Sequence, residues 1–593
     1  MKNQNQNLLV AVAIWLACMF GLYLFFPNVI GPKKPAPQQQ PEPAVQSPGP
    51  TSAPPASPLG TGAAAATKPG DVPRGTPAKT HPLRTVTLET PLARTVVTSE
   101  GAAVQSIQLL GEKWTLHKGS SEAAQVDLVP SHSGEPLPFT TALKGADGAT
   151  LIPAATSYEL VRSDATSATF RAEQGGVTIT KTFTVNPTNY GIGLAVELKS
   201  AQAVNGQLAV LSGTHAEEPK GGFLSPHSNV PARTICAAAN NKVERVAIGA
   251  KNPVFEAPAA QFAGIDEQYF LSAVMPPQGV AASCRLEAQG SKSGSLIASL
   301  IVPVQAVADA SAHLDFQGYA GPKDDTDLLA VGKPLKLSIE WGFWSVIAEL
   351  LLGIMKFFYR VVPPHNWGFA IILLTLAMKA LTFPLQHKSM KSMQEMQRIQ
   401  PQIEEMKKKF AGDPQRQNVE QMKLFKEHGV NPMGSCLPML IQMPIWFALY
   451  TTLGVSVELY NAPFIHGWIN DLTAKDPYYI LPVAMGITMI LTQILTPTPM
   501  SNPSQKTMGY VMSGFFSLLM LTLPSGLTLY IFTNNVLSIG QQMYLRRKLH
   551  VHPPKAGSQT VEVGKKKDDE GGKKKDDRTG GGGSASDRAK LRA

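Results

Sequence analysis

The chain has 593 residues, 44% of them hydrophobic and 16% charged, with a formal net charge of +10. Four cysteines are too few for a disulfide framework, and the average hydrophobicity conceals a strong segregation of apolar runs to the extreme N-terminus and to residues 343–545. The charge is uneven too: from Arg546 to the end, 14 Lys/Arg face 7 Asp/Glu, so most of the excess sits in one tail that suits an anionic partner, lipid headgroups or ribosomal RNA.

Leu8–Phe26 is an apolar run ending at Pro27, with no A-x-A-like cleavage site after it, so residues 1–27 read as an uncleaved anchor helix. Residues 28–82 are rich in Pro, Ala, Gln, Ser and Thr and cannot bury enough apolar surface to offset the entropy of ordering; they read as a disordered linker. Residues 83–340 look all-β. Val177, Ile179, Phe183 and Val185 alternate with threonines, Asn186-Pro187-Thr188-Asn189 supplies a turn, and Ile192, Leu194, Val196 and Leu198 alternate again, which predicts a hairpin. Many short strands joined by Gly, Pro and Asn turns point to one large sandwich. Cys236 and Cys284 lie in it, and a bridge between them is permitted outside the cytoplasm. No catalytic constellation is visible: the chain lacks H-E-x-x-H, and no Gly-Lys pair is followed by Ser or Thr, which excludes a phosphate-binding P-loop. The expectation is no enzyme, no catalytic residue, no metal and no cofactor.

Phe343–Arg360 carries Glu349, Lys356 and Arg360 on one face, so 343–362 reads as an amphipathic helix in the membrane interface, with a slightly polar spanning helix as the alternative. Residues 365–548 hold five further apolar spans, at about 366–386, 433–457, 478–496, 507–523 and 525–545. Between the first two, 387–430 reads as a charged helical hairpin. Met396, Ile399, Ile403, Met406 and Phe410 form a seam at 3, 4, 3, 4 spacing, Gly412-Asp413-Pro414 makes the turn, and Gly429 ends the second arm. Met393 and its neighbouring methionines serve either that packing or a soft surface for varied apolar partners. The hairpin holds nine Lys/Arg, whereas the loop Glu458–Asp476 has one lysine against three acids. Positive charge stays cytoplasmic, which puts the hairpin, both termini and the 549–593 tail inside and the β domain outside. Lys/Asp blocks in that tail largely cancel, so a ribosome-binding tail and a merely solvated one both fit.

The first span carries a cation. Thr375, Lys379, Thr382 and Gln386 fall 4, 3 and 4 residues apart, on one helical face. A lysine at a membrane helix centre costs about 2.5–3.5 kcal/mol on insertion scales, so something should compensate for it. Snorkelling toward the inner interface is one answer; a water-filled recess in the inner leaflet is the other. Two more stripes, Ser435 with Gln442 and Tyr530, Asn534, Ser538 with Gln541, provide candidate facing walls.

NPMGSCLPMLIQMPIWFALY (431–450), DPYYILPVAMGITMILTQ (476–493) and SGLTLYIFTNNVLSIGQQ (525–542), with the lysine-bearing helix, resemble the YidC-type membrane protein insertases. The match covers roughly 343–548; more loosely, the β domain, including DEQYF at 266–270, is similar to the large periplasmic domain of Gram-negative members. The resemblance implies a multi-span α-helical membrane bundle, a five-helix insertase core plus N-terminal anchor helix, with an all-β periplasmic β-supersandwich domain. It also implies a cofactor-free chaperone of the bacterial inner membrane that inserts nascent membrane proteins alone or with the Sec translocon. The family's hydrophilic groove opens to cytoplasm and lipid and holds a cation, usually arginine; Lys379 stands at the matching position, and Thr375, Gln442 and Tyr530 fall at or near groove-lining ones. Lysine keeps the charge and loses the planar fork. Thr382, Gln386 and Asn534 complete the candidate groove. The rival reading is a secondary transporter with Lys379 in a substrate site, which predicts inverted-repeat symmetry that the sequence does not display. A third is a tethered carbohydrate-processing enzyme, which needs convergent carboxylates in the sandwich.

Overall fold

In the computed structural model, residues 81–116, 124–129, 134–218, 230–430, 437–495 and 503–549 are described. The expected anchor, nearly all of the linker and the tail beyond Leu549 lie outside them.

Val177–Val185 and Gly191–Ser200 form an antiparallel hairpin, from Val177 opposite Ser200 to Val185 opposite Ile192. Side chains of a strand alternate between faces, so its valines, isoleucines and phenylalanine point inward together. The hairpin belongs to a nine-stranded antiparallel sheet, ordered Val243–Val246, Arg233–Ala238, Ala260–Asp266, Phe270–Met275, Ser311–Pro322, Gly191–Ser200, Val177–Val185, Ser167–Gln174, Glu159–Ser163. A six-stranded sheet built around Ser293–Ala306 and Val204–Glu217 packs against it, most closely where Ala260–Asp266 meets Ser293–Ala306. Thr85–Glu89, Ala93–Thr98 and Ala103–Leu109 make a third, three-stranded sheet. Cys236 and Cys284 are joined by a disulfide that ties the nine-stranded sheet to the six-stranded one. One inward position of the hairpin is a lysine. Lys181 is fully buried, and its Nζ donates to the carbonyls of Gly101 (3.0 Å) and Phe139 (2.8 Å). Burial pushes its pKa well below the ordinary lysine range.

Helices follow: α1 (Asp325–Val331), α2 (Ser345–Val361), α3 (Trp367–Lys409), α4 (Pro414–Glu427), α5 (Leu437–Val455), α6 (Ile480–Leu495), α7 (Pro503–Met520) and α8 (Ser525–Leu549). Ala348, Leu351, Leu352 and Met355 of α2 are buried, and the Thr452 hydroxyl of α5 donates to the Ala348 carbonyl at 3.2 Å. Val346, Leu350, Phe357 and Val361 remain exposed, so α2 is apolar on an outer face as well. Among the described residues one stretch, Trp367–Met393 in α3, is long and apolar enough to cross a membrane; Ile480–Leu495 and Thr507–Met520 are apolar but shorter.

Two details of the hairpin differ from the sequence reading. The composition changes from apolar to charged at His387, but the helix does not break there: α3 runs on as one helix of 43 residues with Pro384 and Pro401 inside it. The seam is Met396, Ile399 and Ile403 against Phe425 and Val430, with Met406 packed beside them, while Met393 is only half-buried. Phe410 is not part of that cluster. It caps the end of α3, where the helical period stops, and the Arg416 guanidinium lies 5.2 Å from its ring. Gly412 (φ +111°) and Gly429 (φ +63°) take the left-handed backbone that lets the chain turn after α3 and leave α4.

Candidate functional site

The helices are closed at one end by the loop between α5 and α6. Ser525 Oγ donates to the Ala474 carbonyl (2.7 Å), with the Asp471 carbonyl 3.0 Å away, and Gly526 N donates to that of Leu472 (2.9 Å). A Cβ on Gly526 would come within 3.1 Å of the Leu472 oxygen, so this approach suits glycine. Asp476 accepts from Tyr478 N, Leu481 N and Trp468 Nε1, capping α6 and pinning the loop. At the same end Asn366 caps α3, accepting from Gly368 N and Phe369 N and donating to the carbonyls of Pro463 and Phe464.

The β domain is built onto this cap. Tyr460 is surrounded by Trp114, Tyr269 and Phe270, with ring centroids 5.9, 5.2 and 5.4 Å away. Asn461 Nδ2 donates to the Lys113 carbonyl (3.0 Å), and Gln268 Nε2 to the Gly454 carbonyl (2.9 Å). Lys356 of α2 meets Glu458 of the cap at 2.6 Å and Asp324 at 3.5 Å. Burial opposes charging Lys356, but these carboxylates outweigh it and hold the ammonium above its ordinary range. Behind them, fully buried Asp266 accepts Lys323 (2.6 Å), Arg245 (2.8 Å) and Arg233 (3.1 Å). Burial raises its pKa, yet these three cations prevail and keep it ionised below the usual carboxylate range. Arg233 also reaches Glu340 (2.9 Å) and Arg245 the Ser338 carbonyl (2.8 Å), which ties the sheet to the segment leading into α2. Four residues of DEQYF, Asp266, Gln268, Tyr269 and Phe270, therefore serve this junction.

Away from the cap, polar side chains line the helices. Lys379 Nζ donates to Ser538 Oγ at 2.8 Å, and Ser538 Oγ donates to the Asn534 carbonyl at 2.7 Å. No carboxylate among the described residues pairs with Lys379. Thr382 Oγ1 donates to the Met378 carbonyl (2.9 Å) and accepts from Gln386 Nε2 (3.2 Å); Gln442 Nε2 donates to Tyr530 Oη (3.0 Å). Thr375 is 1% exposed with its hydroxyl on the Ile371 carbonyl, and Tyr530 is 3% exposed. Lys379, Thr382, Gln386, Asn534 and Ser538 are only half-buried. The stripe thus grades from sealed near the cap to open toward His387. Helical spacing had put Ser538 in a stripe; that its hydroxyl meets Lys379 depends on how α3 and α8 are set against each other, which spacing alone does not give. Among the described residues, no group of three His, Cys, Asp or Glu side chains could hold a metal ion.

Residues 85–354 match the family model of the YidC periplasmic domain, and residues 357–552 that of the 60Kd inner membrane protein. The chain is 41% identical over 472 residues to the membrane protein insertase YidC of Anaeromyxobacter sp. (strain Fw109-5), spanning 78% of this chain and 84% of the relative. The chain belongs to the YidC family. A second YidC, from Geobacter metallireducens, is 33% identical over 559 residues, 92% of this chain and 99% of the relative. Among solved structures, an active YidC insertase with its first transmembrane domain resolved is 18% identical, with a TM-score of 0.33, over 79% of this chain and 95% of that one. As a YidC the chain is an inner-membrane protein, and its sheets form the periplasmic domain that precedes the helices.

Proposed function

We propose that the chain is a membrane protein insertase and chaperone, which inserts nascent inner-membrane proteins alone or with the Sec translocon. The observation that carries this is its 41% identity, over most of both chains, to a relative that bears that name. In this reading α3 and α5–α8 span the membrane as a five-helix core, the 1–27 helix adds a sixth span, and α2 lies in the interface with its exposed apolar face in lipid. The nine Lys/Arg of the hairpin keep it cytoplasmic, with both termini, and the cap and β domain face the periplasm.

The work is done in a groove open to the cytoplasm and lipid. Lys379, Thr382, Gln386 and Asn534 line its open part, Thr375 and Tyr530 its sealed outer end, and half-buried Gln442 reaches that end through its bond to Tyr530. The gradient of burial along α3 and α8 supports that arrangement. A carboxylate about 4 Å from the ammonium gains roughly 4 kcal/mol at an effective dielectric of about 20, enough to draw an acidic translocated segment in and weak enough to let it go. Apolar segments leave sideways into lipid. Lysine offers a point charge where a guanidinium would offer a fork, so attraction here is less directional. Half-buried Met393 and the charged outer faces of the hairpin, together with the basic tail, are the surfaces offered to a ribosome, while Met396 and Met406 hold the two arms together.

The test is depletion of the native insertase and complementation with this chain. Small, few-span membrane proteins should fail to insert under depletion and recover with the wild-type chain. Equal recovery with Lys379→Ala and Lys379→Glu would rule out the groove charge.

A further inference from the structure

We infer that Ser538 is what positions the Lys379 ammonium, holding it with a neutral oxygen so that its charge stays available to a translocated carboxylate. The inference rests on the groove reading above. An ammonium has three donors and no acceptor, and a hydroxyl has one donor and two acceptor lone pairs. Ser538 commits its one hydrogen to the Asn534 carbonyl at 2.7 Å, a back-bond to the preceding turn of α8, which fixes the hydroxyl and leaves its oxygen to receive the Lys379 Nζ at 2.8 Å. Among the described residues, the other two N–H groups of Lys379 then remain for a ligand.

The identity of the anchor matters as much as its position. Lys356, on the helix before, is anchored by Glu458 and Asp324, and its charge is consumed locally. Serine holds the lysine with a neutral oxygen, so the field of the ammonium extends undiminished. A carboxylate at position 538 would hold the lysine at least as firmly and cancel the field. Ser538 is a positioning residue: it acts on the substrate through Lys379.

The experiment uses the full chain in cells depleted of their own insertase, with two versions of one small single-span substrate that differ by Asp or Asn in the translocated segment. Ser538→Ala should lower insertion of the Asp version roughly two- to tenfold, the range one hydrogen bond provides, and leave the Asn version unchanged. Ser538→Thr, which keeps the hydroxyl and the back-bond, should restore it. Ser538→Asp should lower the Asp version as far as Lys379→Ala does. If Lys379→Ala depresses the Asp version while Ser538→Ala and Ser538→Asp match wild type, the inference fails and the groove reading stands. If Lys379→Ala itself has no effect, both fail. Equal loss of both substrates in Ser538→Ala, at normal membrane abundance, would mark a structural serine and overturn the inference.

Discussion

Lys356 meets two carboxylates at the junction between the periplasmic domain and the helices, while Lys379, on the next helix, meets a serine hydroxyl and no carboxylate among the described residues. The two sit in the same assembly and differ in what surrounds them. At the junction, charges come with counter-charges, and Asp266 alone gathers Lys323, Arg245 and Arg233. Charges paired in this way hold the fold together. Lys181 in the sandwich differs: two neutral carbonyls close around it, and burial pushes its pKa well below the ordinary lysine range. The lysine in the helices is held by a neutral hydroxyl instead. On the proposed groove reading, that difference in partner is what separates a working charge from a structural one.

Several substitutions would break or sharpen this contrast. The largest effect is expected from Lys379→Glu: it reverses the sign in the groove, and insertion of substrates with acidic translocated segments should fall by more than about tenfold in an in-cell protease-protection assay. Its folding should change little, since no ion pair among the described residues is lost. Separating the two sheets from their disulfide with paired Cys236→Ser and Cys284→Ser should cost about 2–4 kcal/mol of domain stability, seen as a lower Tm of the purified chain, with the groove unaffected. Lys356→Ala leaves Glu458 and Asp324 facing each other without their cation. It should destabilise the junction by about 1–3 kcal/mol, measured by the same melt, and adding Glu458→Gln should recover part of the loss.

The smallest effect is a pH dependence at the junction. Burial pushes Glu267 up to about 7 from an ordinary 4.5, with Lys323 opposing and Asp266 adding to the shift. A carboxyl whose folded pKa is raised favours folding in its neutral form. The penalty is therefore absent below about pH 4.5, grows through the window up to 7, and is complete above it. Burial lifts Asp327 to about 6, with the same sign. The melting temperature should fall as pH rises from about 5 to 8, and Glu267→Gln should flatten that slope.

Much of this was legible in the sequence because it rests on local periodicity. The Val177–Ser200 hairpin follows from alternation with period two, the lysine stripe from spacing of three and four, and the turn at Gly412 from its residue types. What was not legible depends on which distant residues meet. DEQYF stands out in the sequence only by its resemblance to the periplasmic domain, yet its Tyr269 and Gln268 side chains meet Tyr460 and the Gly454 carbonyl, nearly 200 residues on. Phe410 continues the seam in spacing, but the helix ends beneath it. Thr375 shares the face of Lys379, and packing near the cap seals it while Lys379 stays half-open. Lys181 passes unnoticed among threonines until two loops close over it. Ser538 is one polar residue of four in its stripe, and only the setting of α8 against α3 singles it out.

The central claim is that Lys379 faces the path of an inserting chain. A photo-crosslinking residue at position 379 in the full-length protein, with ribosome-stalled nascent membrane proteins of increasing length, tests it directly. The account predicts a crosslink at 379 over a window of chain lengths, and none from Leu350, on the exposed face of α2. Crosslinks of equal yield at both positions, or none at 379 at any length, would contradict it.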